Sequence, residues 1–107
     1  MSRGDNLRIL DILDAAGEVA AIVAAGKDAF LTNSISQRAV ERLLEIIGEA
    51  ANLISDEVKS SFPQVDWRDI ISLRILLAHH YFRVDDEQVW VIASQSVPEL
   101  VGLLQAD

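Results

Sequence analysis

The chain has 107 residues, a formal net charge of −8 and no cysteine. This length predicts a single domain, residues 1–107, with its own hydrophobic core. The lack of cysteine excludes disulfides, thiolate nucleophiles and cysteine-ligated zinc, and the acidic charge argues against broad electrostatic attraction to nucleic acids or anionic membranes.

No basic segment followed by an apolar one opens the chain. The longest stretch without a charged residue, 88–98, is far shorter than the ~18 residues of a membrane span. We therefore expect a soluble cytoplasmic protein. The acidic charge is uneven, because residues 38–83 carry a net charge of −1 and the remaining net charge of −7 lies outside them. The central segment is therefore the part least repulsive to a polyanion.

Residues 7–25 form the first predicted helix, which Gly26 ends. Apolar residues recur on one face of this helix, and charged residues recur on the opposite face. The predicted inner face consists of Leu10, Leu13, Ala16 and Ala20.

A second helix, capped by Ser34 or Ser36 and ending near residue 55, has the clearest pattern. Two adjacent apolar seams run along it, one formed by Ala39, Leu43, Ile46, Ala50 and Leu53 and the other by Val40, Leu44, Ile47, Ala51 and Ile54. This face is wider than one neighbouring helix requires. Gly48 lies in mid-helix at a cost of about 1 kcal/mol relative to alanine, so we expect another helix to approach closely there.

A third helix is predicted over residues 66–78, with Asp66 as its cap after the break at Phe62-Pro63. The last helical region, 85–106, is interrupted at residues 94–98, where Ser96 and Pro98 restart it. The apolar alternation typical of strands is absent. The predicted fold class is therefore all-α: an up-down bundle of four main helices with the last helical region interrupted.

The residues with the most chemical potential are Arg74, His79 and Tyr81, in the spacing R-x4-H-x-Y. Arginine offers planar donors to phosphate oxygens, and histidine can give and take protons near pH 7. The pattern therefore indicates phosphate-ester chemistry. In one unbroken helix Arg74 and His79 point about 140° apart, so they act together only if the helix ends near Ala78 or if a second subunit supplies the counterpart.

Arg74 falls in the middle of an apolar stripe, where a guanidinium needs a partner. The simpler alternative to a functional role is therefore an ion pair with Glu45 or Glu49, or a side chain that reaches out to solvent. Other chemistries have weaker signals. No metal site is predicted, because the adjacent His79 and His80 have poor metal-ligand spacing. No phosphate-binding glycine loop is present either.

Three stretches together resemble a known family, the HepT-like toxins of the HEPN superfamily. They are residues 37–52 (QRAVERLLEIIGEAAN), residues 65–71 (VDWRDII), and the R-x4-H-x-Y motif leading to Val89-Trp90. They occur in the family's order and span about half of the chain. The resemblance is therefore far more specific than the short motif alone.

The resemblance implies an all-α HEPN-like homodimer that acts as a metal-independent ribonuclease without a cofactor. Arg74 would hold the scissile phosphate of the RNA substrate, and His79 would transfer a proton to or from the ribose 2′-hydroxyl or the leaving oxygen. It also implies a partner, a minimal nucleotidyltransferase antitoxin, that attaches nucleotide to Tyr81 (AMPylation). Possible supporting residues are Glu45, Glu49 and His80.

One departure from the family concerns the position after the motif arginine, which is usually polar and often asparagine. Here it is Ile75, and the frequently basic next position is Leu76. Two functions from different classes are therefore compared: a ribonuclease toxin of a type II-like toxin–antitoxin system, and a catalytically silent helical dimer that binds and regulates a nucleotidyltransferase. A plain helical dimerisation module is expected if Arg74 is buried in an ordinary intrachain ion pair.

Overall fold

A computed structural model of the chain describes residues 3–78 and 85–105. All the regular elements within these residues are helical, which confirms the all-α prediction. The four main helical regions are residues 3–23, 34–53, 67–78 and 86–105. The elements in chain order are α1 (Arg3–Val23), α2 (Lys27–Leu31), α3 (Ser34–Leu53), α4 (Asp56–Ser60), α5 (Trp67–Ala78), α6 (Asp86–Val91), a π-helical segment (Ile92–Ser96) and α7 (Val97–Gln105).

Helix α3 lies between α1 and α5 and contributes most to the core. One of its two predicted seams is fully buried, and it consists of Val40, Leu44, Ile47, Ala51 and Ile54. The other seam is half-buried at Ala39, Leu43 and Ile46, is buried at Ala50, and ends at Leu53, which is 51% exposed. The wide apolar face that the sequence predicts is therefore used by neighbouring helices on one side and remains partly open on the other.

Helix α1 contributes to the core through a face that only partly matches the predicted one, because Ala16 is buried and Leu13 is half-buried as predicted. Its buried apolar residues are Ile12, Ala15, Ala16 and Val19, whereas Leu10 is 53% exposed and Ala20 is also exposed. The prediction was wrong for Leu10 and Ala20, because the apolar residues of α1 extend beyond one face and periodicity alone does not select among them.

Buried Asp5 adds a polar contact near the start of α1 that the pattern did not predict. Its Oδ1 accepts a hydrogen bond from the backbone N–H of Ser55 at 2.8 Å, and its Oδ2 accepts one from the Ser55 hydroxyl at 2.9 Å. These bonds fasten the N-terminal part of α1 to the junction of α3 and α4.

The helix ends follow the expected capping chemistry with one correction. Gly26 has a φ of 98° after α1, as a glycine stop requires, and Asp66 accepts a hydrogen bond from the N–H of Asp69 at 3.2 Å. The cap of α3 is Asn33 rather than either predicted serine. Its Oδ1 accepts from the N–H of Ser36 at 3.0 Å, and asparagine is among the strongest N-cap residues.

The predicted interruption of the last helical region takes the form of a π-helical segment. Pro98 is the second residue of α7 and has no N–H to donate to the carbonyl four residues earlier, at Ser94. A wider π turn removes the need for that bond while the helix continues in the same direction. The interruption is therefore a local change of helix type.

Helices α3 and α5 approach each other closely at Gly48, as its mid-helix position predicts. A Cβ atom built on Gly48 meets the backbone N of Arg74 at 2.7 Å and the backbone O of Ile70 at 2.9 Å. Both contacts are shorter than any that a real Cβ makes, and backbone atoms cannot turn aside as a flexible side chain can. Only glycine therefore allows α5 to lie this close to α3.

We predict that Gly48→Ala lowers the free energy of unfolding by about 1–2 kcal/mol. The overpacking penalty of about 1–3 kcal/mol outweighs the gain in helix propensity of up to about 1 kcal/mol. Gly17→Ala is the matched control, because Gly17 is also in mid-helix and its Cβ meets nothing within 4 Å. The control is expected to gain stability. Urea denaturation at a fixed protein concentration measures both variants, and a Gly48→Ala protein as stable as the control contradicts the prediction.

Candidate functional site

The start of α5 is fixed by two contacts of Trp67. Its indole N–H donates a hydrogen bond to the carbonyl of Lys59 at 3.1 Å. Its ring also packs against the edge of Phe62, with the ring centroids 6.4 Å apart. Because an indole has only one polar atom, this bond satisfies it completely while the ring contributes apolar area. The direction of α5 is therefore set about two turns before Arg74.

Arg74 lies on the face of α5 that meets α3. Its apolar neighbours on the same stripe, Ile70, Ile71 and Leu77, are partly buried and pack against the core, as the helical spacing predicts. Gly48 faces the Arg74 backbone from α3. The close approach places the backbone and Cβ of Arg74 against the surface of α3. The rest of the side chain must therefore extend to one side of this contact.

The guanidinium of Arg74 is held loosely. Its Nη1 lies 3.8 Å from Oε2 of Glu49, and the two side chains are 34% and 53% exposed. This distance exceeds the 2.7–2.9 Å of a charge-assisted hydrogen bond. An exposed ion pair of this kind contributes about 0–1 kcal/mol.

Nε of Arg74 is buried and finds no hydrogen-bond acceptor among the described residues. A buried donor without a partner costs about 1–3 kcal/mol. Arg74 is thus neither fully buried nor well satisfied, which is not the ordinary intrachain ion pair expected for a plain dimerisation module. The arrangement leaves most of the donor capacity of the guanidinium unused within the described part of the chain.

Of the two carboxylates suggested as partners of Arg74, the structure brings only Glu49 to it. Glu45 instead forms an ion pair with Arg42, three residues earlier on the same helix. The position of Glu49 on α3 explains the difference, because Glu49 directly follows Gly48, where α3 and α5 approach each other closely. The sequence places Glu49 directly after Gly48. The helical pattern alone, however, did not show which of the two glutamates meets Arg74.

Ile75 and Leu76 are exposed on α5, by 53% and 44%. They therefore do not serve the monomer core. His79, His80 and Tyr81 lie outside the described residues, in the segment between Ala78 and Asp85, so their predicted roles stay predictions. Within residues 3–78 and 85–105 no cluster of three or more metal-ligating side chains occurs. No helix in that part of the chain combines the length and apolar character of a membrane span.

Comparison with known proteins decides the family. The family described as Ribonuclease HepT-like matches residues 12–106. The chain belongs to the HepT-like ribonuclease family. Its resemblance to the HEPN superfamily is thereby confirmed, and the matching family is named for ribonucleases. The match does not test the residues of the site.

Relatives of this HepT-like chain carry ribonuclease names. It is 37% identical over 105 residues to a Methanocaldococcus jannaschii protein named Putative RNase MJ1380, covering 94% of each chain. It is also 40% identical over 73 residues to the Thermococcus cleftensis protein named Probable ribonuclease HepT, covering 68% of this chain and 66% of that protein. No solved structure gives a significant match.

We predict that Arg74→Met in this HepT-like chain leaves the free energy of unfolding unchanged or raises it by about 1 kcal/mol. Methionine keeps an apolar stem on the stripe, removes the unpartnered Nε and loses only a weak ion pair. Urea denaturation beside Glu49→Gln, which removes the same ion pair and leaves Nε in place, measures the effect. A loss of more than about 1 kcal/mol in Arg74→Met indicates that the arginine serves the fold.

Proposed function

We propose that this chain is a metal-independent ribonuclease toxin of a type II-like HEPN/nucleotidyltransferase toxin–antitoxin system in the cytoplasm. It cleaves RNA at an R-x4-H site formed in a homodimer interface. The observation that carries the proposal is the state of Arg74 in a chain of the HepT-like ribonuclease family. Its guanidinium is accessible, weakly paired and only partly satisfied, as a group kept for a phosphate is expected to be.

The proposed reaction needs two groups. Arg74 binds the scissile phosphate and stabilises the charge that develops on its oxygens in the transition state. The ribose 2′-oxygen attacks phosphorus and the bond from phosphorus to the 5′-oxygen breaks. His79 takes the proton of the 2′-hydroxyl or gives the proton to the leaving 5′-oxygen, and water or the second copy of His79 carries the other proton. Arginine and histidine supply the charge stabilisation and the proton transfer, so the proposal includes no metal and no cofactor.

A homodimer is proposed from the apolar surface that the single chain leaves open. The second seam of α3 is half-buried along most of its length and ends at Leu53, which is 51% exposed. Ile75 and Leu76 on α5 are exposed as well. An isologous interface over such a surface brings both copies of Arg74 near one axis, which also removes the need for Arg74 and His79 to converge within one chain.

The second candidate function is a catalytically silent dimer that binds and regulates a nucleotidyltransferase. One observation favours it: Ile75 and Leu76 expose apolar side chains beside Arg74 where the family usually has polar ones. Apolar groups there give the RNA no hydrogen bond and add apolar area to a protein–protein contact. The two functions differ in whether purified protein cleaves RNA.

We predict that Arg74→Ala and His79→Ala each reduce RNA cleavage by at least about a hundredfold and abolish toxicity on expression. Both residues are assigned to the transition state, and the loss of one such group costs about 10²–10³ in rate. Cleavage by the wild type is expected to persist in EDTA. Arg68→Ala, which removes an exposed arginine from the same helix, is the matched control and is expected to keep its activity.

Equal inertness of the wild type and both variants toward RNA, with equal harmlessness on expression, supports the regulatory alternative instead. Ile75→Asn then provides a direct test of the reason. Recovery of cleavage in this variant indicates that the missing polar group had silenced the site.

We predict a stable homodimer at micromolar concentration. Sedimentation equilibrium measures the mass, and Leu53→Glu is expected to weaken association because it places a charge at an exposed end of the open apolar seam. A wild-type chain that sediments as a monomer contradicts both the dimer and the composite site.

We predict that co-expression with its nucleotidyltransferase partner adds nucleotide to Tyr81. The added phosphate places negative charge two residues beyond His79 and occupies the donors intended for RNA. Intact-mass and peptide analysis locate the adduct, which is expected to be absent in Tyr81→Phe. An unmodified Tyr81 in a neutralised complex indicates inhibition by binding alone.

A further inference from the structure

The ion pair between Arg74 and Glu49 does more than satisfy a charge. We propose that Glu49 is a positioning residue that competes with RNA: its carboxylate holds the Arg74 guanidinium in a resting position and releases it when a phosphate arrives. This inference rests on the proposed ribonuclease function and assigns the regulation of the same site. Both residues lie in the described part of the chain. The first supporting observation is that the side chains of Arg74 and Glu49, on two different helices, approach each other.

The fold itself places the two residues together. Gly48 admits the backbone of α5 to the surface of α3, and Glu49 is the next residue along α3. A carboxylate at the rim of this contact therefore faces whatever side chain leaves the contact from Arg74. Glu45, four residues earlier, forms an ion pair with Arg42. Glu49 is therefore the acidic residue of that surface which meets Arg74.

The contact between Arg74 and Glu49 is weak enough for a ligand to replace it. At 3.8 Å, and with both side chains partly exposed, it is an attraction between charges without a hydrogen bond. A phosphate accepts two parallel hydrogen bonds from an arginine and forms the stronger pair. The phosphate therefore displaces the carboxylate, but only after it has overcome the repulsion between its own charge and Glu49.

The buried Nε marks the observed position as a resting one. Two-point binding of a phosphate by arginine commonly uses Nε together with an Nη, and here Nε is covered and has no acceptor within the described residues. Binding through Nε therefore requires the side chain to leave its observed position. That movement breaks the Glu49 contact and satisfies the unpartnered donor at the same time.

The expected effect of Glu49→Gln is a two- to fivefold decrease in KM for RNA with kcat within about twofold of the wild type. Glutamine keeps the size of the side chain and removes the competing charge, which at an exposed pair changes binding by less than about tenfold. A residue that only supports the fold does not separate KM from kcat in this way. Glu57→Gln, which removes an exposed charge from α4, is the charge control and is expected to have a smaller effect.

A double-mutant cycle separates the contact from general electrostatics. The affinity for an uncleavable 2′-deoxy analogue of the RNA is measured by fluorescence anisotropy for wild type, Glu49→Gln, Arg74→Ala and the double variant. Glu49→Gln is expected to tighten binding in the wild-type background and to lose that effect when Arg74 is absent. Equal tightening in both backgrounds, or weaker binding by Glu49→Gln, overturns the proposal.

Two outcomes separate this inference from the proposed function. A wild type that cleaves RNA with a Glu49→Gln variant of identical KM removes the role of Glu49 alone. A wild type that neither binds nor cleaves RNA removes both.

A readout that does not depend on catalysis is the Arg74 Nε–H signal in a ¹H–¹⁵N spectrum, assigned by its loss in Arg74→Lys. In a titration with inorganic phosphate, this signal is expected to shift at lower phosphate concentration in Glu49→Gln than in the wild type. Identical titrations of the two proteins count against the competing role.

Discussion

The absence of a side chain at Gly48 is the constraint on which the site depends. Because α5 lies against the backbone of α3 at this point, the apolar residues around Arg74 reach the core while the arginine is forced out at the rim of the contact. Glu49, the next residue, is positioned to meet it. Gly48 therefore sets how closely α3 and α5 pack. This close packing also brings the Arg74 side chain beside the carboxylate of Glu49.

Arg74 is an unfavourable residue for the stability of the chain. It leaves a buried donor without an acceptor among the described residues and gains only a weak ion pair. Stability alone does not explain such a residue. The phosphate binding proposed for Arg74 gives its planar donors a use that the fold does not supply.

The sequence predicted the parts of this molecule in which one physical signal dominates. The double seam of α3, the cap at Asp66 and the close approach at Gly48 each follow from a local rule of spacing, capping or size. The inner face of α1 was only partly predicted, because its apolar residues extend beyond one face and only tertiary packing selects Ile12 and Val19 over Leu10. Glu49 and Glu45 looked equivalent for Arg74, because periodicity does not give the height at which two helices cross.

In the proposed mechanism RNA is cleaved by attack of its own 2′-hydroxyl, with Arg74 at the phosphate and His79 as the proton carrier. The chemical ends of the products distinguish this mechanism from others, and mass spectrometry of a short RNA cleaved in EDTA identifies them. The mechanism yields a 2′,3′-cyclic phosphate, or the 3′-phosphate formed from it, together with a 5′-hydroxyl. It also predicts no cut where a single 2′-deoxynucleotide replaces the attacking residue. Products with a 3′-hydroxyl and a 5′-phosphate contradict it, because they require attack by water from the other side of the phosphate.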